Sequence, residues 1–428
     1  MSLSILHDFL DFLDASPTPF HAVENLKQML DEEGFTELCE RDSWVLQRAR
    51  KYYVIRGASI IAFVCGDQDE IENCPLRLIG AHTDSPCLKI TPLPDRSAHS
   101  YLQLGIEVYG GALLNPWFDR DLSIAGQVSY LNDDGELISR LINFRRPVAV
   151  IPSLAIHLNR DVNGKKSVNP QTELRPIITG GDKLPAFRDL LKRQIRLEQS
   201  KNSDVAEILD FDLCLYDTQR AALVGMDNQF ITSARLDNLL SCFVAIWSLK
   251  NYSGSGTSLV VCNDHEEIGS RSSSGALGTL LNDVLVRLYP HDIARQQVLR
   301  RAIMISADNA HGIHPNYPSV HDEGHGPIIN RGPVLKFNAN QRYATSSKGA
   351  SWLRCVAKSG GKAVPLQSFV TRADMGCGST IGPLTASNSG IEVIDLGVPT
   401  FAMHSIRELA GAEDFSYLMA LFDRFLKA

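Results

Sequence analysis

The chain has 428 residues, of which 44% are hydrophobic and 21% charged, and its formal net charge is −7. This is ordinary globular composition, and the length predicts two domains or one large domain that carries an insertion. The mild acidity argues against sequence-independent nucleic-acid binding, because Lys and Arg side chains must meet the phosphates.

The N-terminal residues and the cysteines indicate a cytoplasmic protein. The first basic residue is Lys27, so we expect no signal peptide. The longest uncharged apolar stretches, such as 239–249, fall short of the roughly 20 residues that cross a bilayer. Nine scattered cysteines without a CxxC pair are typical of reduced thiols. We therefore expect neither a membrane nor a nucleic-acid partner.

Two amphipathic helices are predicted at the N-terminus. The apolar residues of the first helix share one face: Leu6, Phe9, Leu10 and Leu13. Thr18 is a candidate N-cap of the second helix, with Pro19 at its first position and Gly34 just beyond its end. Four residues of the second helix are expected to be buried: Ala22, Leu26, Met29 and Leu30.

Short apolar runs at 52–56, 60–64 and 76–79 then predict strands. The pattern changes between about Pro92 and Phe230. There, Asp133-Asp134-Gly135 between the runs 127–131 and 136–142 predicts a β-hairpin. A further strand is expected at 210–217, preceded by a helix with four apolar residues: Leu184, Leu190, Leu191 and Ile195.

Beyond Ile231, strands alternate with helices. A helix is predicted at 239–249, and buried strands are predicted at 258–262, 303–306 and 393–396. This alternation is typical of an α/β fold, a central mixed sheet flanked by helices. We therefore predict one discontinuous domain, 1–91 and 231–428, and an inserted strand-rich second domain, 92–230.

Five segments share one design, in which an apolar strand leads to a loop that holds His, Asp or Glu. The side chains in question are His82, Asp84, Asp237, Glu266, Glu267, Asp308 and His404. Ligands of open α/β sheets bind beyond the carboxyl ends of the strands, so these residues are expected to converge there.

Two histidines and three carboxylates suit two Zn²⁺ ions or similar divalent metals, with one carboxylate bridging them. A further carboxylate is needed as base for a metal-bound water, and the Glu266-Glu267 pair can supply both a ligand and a base. Asp84 is placed to hold the second ring nitrogen of His82. Each motif alone is more often an ordinary loop or solvated surface, but together they predict a dinuclear metal site at the strand ends.

The motifs around these residues resemble the M18 peptidases, the aspartyl aminopeptidase family. The resemblance extends from PTPFHAV near Phe20 to AEDF near Phe415, and includes GAHTDSP, SARLDNL, DHEEIGS, SADNAHGIHPNY and MHSIRE. It implies a metallo-aminopeptidase, a hydrolase that releases N-terminal amino acids from peptides and prefers Asp or Glu. Zn²⁺ is the expected metal, with Co²⁺ or Mn²⁺ as alternatives.

The resemblance also implies roles for the metal-site residues. Asp237 resembles the ligand that bridges the two ions. His82 and Asp308 would complete one metal site, and Glu267 and His404 the other. Glu266 resembles the general base.

The predicted insert resembles a dimerisation or lid domain, and the family assembles from dimers into a tetrahedral dodecamer. His157, in SLAIHLNR, resembles a histidine that reaches a neighbouring subunit's active site and steadies the transition state. From its neighbours alone, a single His in an apolar strand is more often a core side chain.

Two further segments resemble the substrate pocket of the family. Lys336 and Tyr343 lie in KFNANQRYA, where a Lys could pair with an acidic side chain at the substrate N-terminus. The alternative for Lys336 is a solvated surface side chain. The segment 374–383, DMGCGSTIGP, with Gly378 and Ser379, resembles a substrate-binding loop whose glycines allow close backbone approach.

Two other functions are compatible with these residues. A carboxypeptidase or an N-deacylase could use a similar dinuclear centre on a similar fold. A non-catalytic assembly protein could keep the fold without the chemistry, since fold does not fix function. That second alternative predicts a missing ligand or base, whereas all six predicted ligand and base residues are present in the sequence.

Overall fold

The computed structural model describes residues 3–67, 73–164, 167–198 and 205–428. The chain divides into two compact units. The first comprises Met1–Asp84, Ala221–Met403 and Glu408–Ala428, and the second comprises Ser85–Arg220 and His404–Arg407.

The described part of the chain forms ten α-helices and twenty strands. The helices are α1 (Leu3–Ala15), α2 (Pro19–Asp31), α3 (Pro170–Glu173), α4 (Phe187–Glu198), α5 (Leu236–Lys250), α6 (Leu280–Leu288), α7 (Asp292–Arg301), α8 (Ser347–Lys358), α9 (Ile381–Ser389) and α10 (Ala412–Lys427). The first ten strands are β1 (Thr36–Glu37), β2 (Lys51–Arg56), β3 (Ser59–Val64), β4 (Leu76–His82), β5 (Cys87–Ala98), β6 (Tyr101–Tyr109), β7 (Leu122–Asn132), β8 (Leu137–Asn143), β9 (Ile177–Gly180) and β10 (Val205–Asp217). The others are β11 (Ala222–Val224), β12 (Phe230–Ser233), β13 (Thr257–Asn263), β14 (Ile303–Ala307), β15 (Ala310–His311), β16 (Val334–Phe337), β17 (Gln367–Val370), β18 (Glu392–Gly397), β19 (Pro399–Phe401) and β20 (Glu408–Gly411).

A nine-stranded mixed sheet organises the first unit, with the order β1-β2-β3-β13-β4-β14-β18-β16-β17. Its central strands β13, β4, β14 and β18 run parallel, so their carboxyl ends share one edge. All seven residues of β13 are buried, as expected for a strand covered on both faces. The predicted α/β fold with a central mixed sheet is confirmed.

Helices cover both faces of this sheet. On one face, α1, α2, α5, α8 and α10 share a core in which the Phe9 and Phe415 rings stack 4.9 Å apart. On the other face, α6, α7 and α9 pack Val284, Val298 and Ile381 against the strands. Burial of these apolar side chains is the main force that holds the sheet edge in place.

A second, five-stranded sheet of the first unit has the order β11-β12-β20-β19-β15. The strands that precede Asp237 and His404 in sequence, β12 and β19, belong to this sheet. The expectation that all five motif-bearing segments follow strands of one open sheet is therefore wrong for two of them. Short strands such as β19, with three residues, carry too little pattern to reveal which sheet they join.

The second unit is built on a six-stranded antiparallel sheet with the order β8-β7-β10-β5-β6-β9. The predicted hairpin is confirmed as β7 and β8, and Gly135 at their turn has a φ of +80°. This unit begins before the predicted boundary at 92, because β5 starts at Cys87 and pairs with both β10 and β6. Helix α4 packs Phe187, Leu191 and Ile195 into the core of this unit.

Local signals at the N-terminal helices are confirmed. The Thr18 hydroxyl accepts a hydrogen bond from the His21 N–H, and Pro19 begins α2. Met29, expected to be buried, is only half-buried. Leu184, expected within a helix, lies before the start of α4. Within the described residues, no helix combines the length and the apolar character that crossing a membrane requires.

Candidate metal centre

His82 occupies the last position of the buried central strand β4. Its Nδ1 lies 3.0 Å from the backbone carbonyl oxygen of Asp84 and 3.4 Å from the Asp84 carboxylate. Nε2 faces the other way, at 3.5 Å from Asp237 Oδ1 and 3.6 Å from Asp308 Oδ1. The ring is therefore fixed on one side by the chain and presents its second nitrogen to carboxylates.

The Asp84 carboxylate also organises the loop that follows β13. Its two oxygens accept hydrogen bonds from the backbone N–H groups of Glu266 and Glu267, each at 3.1 Å. Asp84 is completely buried. It therefore holds the turn that aims the two glutamates, in addition to its contact with His82.

Asp237 lies at the start of α5, where the backbone departs from helical geometry. Its N–H donates to the carboxylate of Glu408 at 2.8 Å, and the next side chain, Asn238, donates to the Ala307 carbonyl at 2.6 Å. These two bonds fix the Asp237 side chain beside the end of β14.

Asp308 directly follows β14, and its N–H donates to the Leu396 carbonyl of β18. The neighbouring Gly397 permits this close approach, since a Cβ there would lie 1.7 Å from the Asp308 carbonyl oxygen. The buried Lys336 ammonium lies 3.3 Å from the Asp308 carboxylate. Lys336 is only 2% exposed, so the alternative of a solvated surface lysine is wrong.

Two groups of potential metal-binding atoms form in the first unit. One joins His82, Glu266 and Glu267, and the other joins His82, Asp237 and Asp308. In each group the ligand atoms lie within 4.8 Å of one another. Imidazole nitrogen and carboxylate oxygen are the donors that Zn²⁺ and similar divalent ions accept, so this set fits a divalent metal.

The charge balance of the cluster also fits cations. Five carboxylates, those of Asp84, Asp237, Glu266, Glu267 and Asp308, surround one imidazole and one ammonium group. Burial raises the pKa of Glu266 to about 8 and that of Glu267 well above its usual value. Burial lowers the pKa of His82, but the surrounding aspartates outweigh it and raise the pKa well above the usual value. The five carboxylates outnumber the two cationic groups, and bound cations would relieve this excess of negative charge.

Two predicted residues belong to the second unit. His404 is half-buried, and its Nδ1 lies 3.2 Å from the Gly111 carbonyl oxygen. His157 lies in an exposed 3₁₀ turn, Ile156–Leu158. The alternative of a core histidine on an apolar strand is therefore wrong for His157.

The two predicted substrate segments contact each other. The Arg342 side chain donates to the Cys377 carbonyl at 3.2 Å, and the Ser379 hydroxyl donates to the Arg342 carbonyl at 3.3 Å. Tyr343 is buried, and the Lys336 ammonium lies 5.4 Å from its ring centroid. Gly378 is exposed.

Comparison with known proteins decides the family. The family model Peptidase_M18, described as aminopeptidase I zinc metalloprotease, matches residues 12–426. The chain belongs to the M18 family of zinc aminopeptidases. It is similar to a probable M18 family aminopeptidase 2 of Pseudomonas syringae pv. tomato, with 52% identity over 421 residues, 97% of this chain and 96% of the relative.

Solved structures of M18 proteins share the fold. The chain is similar to one in the cryo-EM structure of the Ape4 and Nbr1 complex, with a TM-score of 0.94 and 41% identity over 99% of this chain and 85% of the other. It is also similar to the S. cerevisiae mApe1 dodecamer, with a TM-score of 0.84 and 30% identity over 99% and 96% of the two chains. The protein is thus a metal-dependent aminopeptidase, as the sequence motifs predicted.

Sequence reasoning missed two residues of this M18 site. Glu408 is buried and accepts the Asp237 N–H, and Cys242 donates its Sγ–H to the His82 carbonyl at 3.0 Å. A single Glu after MHSIR and a Cys inside an apolar helix carry no distinctive spacing. Only the position of Glu408 within MHSIRE could have drawn attention to it.

Proposed function

We propose that this M18 aminopeptidase removes Asp and Glu from peptide N-termini and uses two divalent metal ions, with Zn²⁺ as the expected metal and Co²⁺ or Mn²⁺ as alternatives. The observation that carries the proposal is the donor set around His82, with buried and half-buried members, in which two groups of three ligand atoms each lie within 4.8 Å of one another. Together the two groups bring four carboxylates to the one imidazole of His82, which is more donors than one tetrahedral ion uses and therefore favours two ions.

The metal roles follow the family pattern. His82 and Asp308 would hold one ion, Glu267 and His404 would hold the other, and Asp237 would be shared between them. When bound, such ions act as Lewis acids and lower the pKa of water toward neutrality. The bonds from Glu408 and Asn238 fix Asp237, and the chain around Asp84 fixes His82, so the ligands are preorganised.

Glu266 is the general base in this proposal. Its carboxylate takes a proton from the attacking water, the water oxygen forms a bond to the first peptide carbonyl carbon, and the C–N bond breaks. Glu266 then returns the proton to the leaving amine. Asp84 supports this role because it holds the Glu266 N–H and therefore the direction of the side chain.

The preference for acidic residues rests on Lys336. Its ammonium is buried beside Asp308, where a substrate side chain near the metals would meet it. A carboxylate of Asp or Glu would form a charge-assisted hydrogen bond with this ammonium. Tyr343, Gly378 and Ser379 would line the rest of the pocket, since their segments are joined by hydrogen bonds.

Assembly and location complete the proposal. The 3₁₀ turn with His157 carries the exposed apolar side chains of Ile156 and Leu158, and Leu154, two residues before the turn, is exposed as well. Such a patch favours contact with another subunit. We propose a cytoplasmic homo-oligomer, a tetrahedral dodecamer of dimers, in which the insert serves as the dimerisation or lid domain and His157 stabilises the oxyanion in a neighbouring subunit.

The first experiment is hydrolysis of aminoacyl-chromophore substrates with Asp, Glu, Leu, Lys or Ala as the released residue, before and after chelation and metal add-back. We expect chelator-sensitive activity with Asp and Glu far ahead. Lys336→Met should lower kcat/KM for the acidic substrates by about 10- to 100-fold and leave the others less affected. Activity led by Leu or Lys would refute the acidic preference while keeping the metal-dependent reaction.

A further inference from the structure

A buried aspartate behind the proposed substrate pocket has no role in the mechanism above. Asp395 lies on the central strand β18 and is completely buried. A charged residue in the middle of such a strand is costly unless its oxygens are well bonded. Its contacts therefore indicate what it holds.

The two carboxylate oxygens of Asp395 are divided between the two proposed substrate segments. Oδ2 accepts the N–H of Ala344, which follows Tyr343, at 2.5 Å. Oδ1 accepts the hydroxyl hydrogen of Thr380, which follows Ser379, at 2.6 Å. One side chain thus bonds to both segments at the residue next to a predicted substrate contact.

The surroundings of Asp395 are shaped to keep this arrangement. A Cβ added to Gly382 would lie 2.4 Å from Oδ1 and 2.5 Å from Oδ2, so only glycine leaves room for the carboxylate. The Asp395 backbone is also fixed, because its N–H donates a hydrogen bond to the Thr345 hydroxyl at 2.9 Å. Thr380, at the N-cap of α9, accepts the Gly382 N–H as well, which fixes its hydroxyl.

We propose that Asp395 is a positioning residue that fixes the segments around Tyr343 and Ser379 to the central sheet and thereby sets substrate affinity. This inference rests on the proposed function, in which those segments line the substrate pocket. The bonds from Arg342 and Ser379 between the segments would transmit the constraint from one segment to the other. Asp395 itself touches neither substrate nor metal ion in this role.

Thr380→Val tests the proposal because it removes the hydroxyl donor and keeps the side-chain shape. It is preferred to Asp395→Ala, which would open a hole in a buried strand. We expect KM for Asp- and Glu-chromophore substrates to rise about tenfold, with kcat within about twofold of wild type, because a bond to a charged group is lost. Metal content per subunit should stay at the wild-type value, and Thr380→Ser, which retains the hydroxyl, should restore KM.

Amide hydrogen exchange measures the positioning without any assay of activity. Peptides that cover 342–345 and 374–380 should exchange faster in Thr380→Val than in wild type, and at the wild-type rate in Thr380→Ser. An unchanged KM with unchanged exchange in Thr380→Val would overturn the proposal. So would a serine variant as impaired as the valine variant, or a KM change accompanied by loss of metal. If wild type hydrolyses no aminoacyl substrate, the proposed function fails, while the exchange experiment still decides the positioning role.

Discussion

At the scale of single residues, the site depends on buried carboxylates that differ in task although they are chemically alike. Asp84 accepts two backbone N–H groups, whereas Asp308 faces an ammonium and an imidazole. The pKa of Asp308 is accordingly lowered: burial raises it, but Lys336 and His82 outweigh burial. Burial raises the pKa of Glu266 to about 8, and bound divalent ions would lower it again, which would leave the carboxylate able to accept a proton from water.

Glu266→Gln should abolish turnover without removing metal. The amide occupies nearly the same space but takes no proton, so we expect kcat to fall by about 10²- to 10⁴-fold. Metal content, measured by mass spectrometry of the purified protein, should match wild type. A variant that keeps a tenth of wild-type kcat would refute the role of Glu266 as base.

Metal binding to the metal-free protein should release protons and strengthen as pH rises. The pKa values of His82 and Glu267 are raised in the metal-free site, so both hold protons that the metal must displace. Lowering the pH favours the protonated forms and therefore weakens binding. Zinc titration calorimetry in two buffers of different ionisation enthalpy measures the released protons, and equal heats in both buffers would contradict the expectation.

At the scale of elements, the position of Asp308, which follows β14, depends on the close approach of strand β18 to its backbone. Gly397→Ala would drive a Cβ to 1.7 Å from the Asp308 carbonyl oxygen, so the strand end must move. We expect a loss of roughly 1–3 kcal/mol in the free energy of unfolding, together with weaker metal binding. Denaturant unfolding measures the first effect.

Gly324→Ala is the matched control for that substitution. A Cβ at Gly324 would meet only Asp322 Oδ1, at an ordinary distance of 3.7 Å. Its unfolding midpoint and metal content should therefore stay close to those of wild type. Equal destabilisation by the two alanine substitutions would show that the close approach at Gly397 is not the cause.

Several elements could be predicted from local pattern, whereas the sheet that a short strand joins could not. Strands β3, β4, β13 and β14 are each built around a short apolar run, and Thr18-Pro19 is a local signal for the start of a helix. The assignment of β12 and β19 to a separate sheet depends on pairing with β20, which lies far from β12 in sequence. Local pattern holds no information about such a partner.

At the scale of the whole molecule, the proposed sharing of His157 between subunits can be tested by complementation. A subunit with Glu266→Gln has no base but donates His157, and a subunit with His157→Ala keeps its base. Co-expressed random dimers should therefore regain about a quarter of wild-type activity, because half the dimers are mixed and one of their two sites is complete.

Each variant expressed alone provides the control for that experiment. Both should be nearly inactive, and light scattering should give both the same mass as wild type. Co-expressed protein no more active than its parents would contradict action of His157 across an interface. Wild-type activity of the His157→Ala variant expressed alone would exclude a catalytic contribution from this residue.

The sequence by itself determined the family and the α/β class and predicted the candidate metal-binding side chains, because local patterns and motifs carry this information without any knowledge of the tertiary contacts. The tertiary structure decided which atoms meet: that the Asp84 carboxylate holds the glutamate turn, that Glu408 holds Asp237, and that Lys336 is buried beside Asp308. Asp395 shows the reason most clearly. Within Val393–Leu396 it is one polar residue in an apolar run, and its two partners, 51 and 15 positions away, become neighbours only when the sheet forms. Burial and charge balance depend on the neighbours that the folded structure brings together, whereas sequence spacing describes only neighbours along the chain.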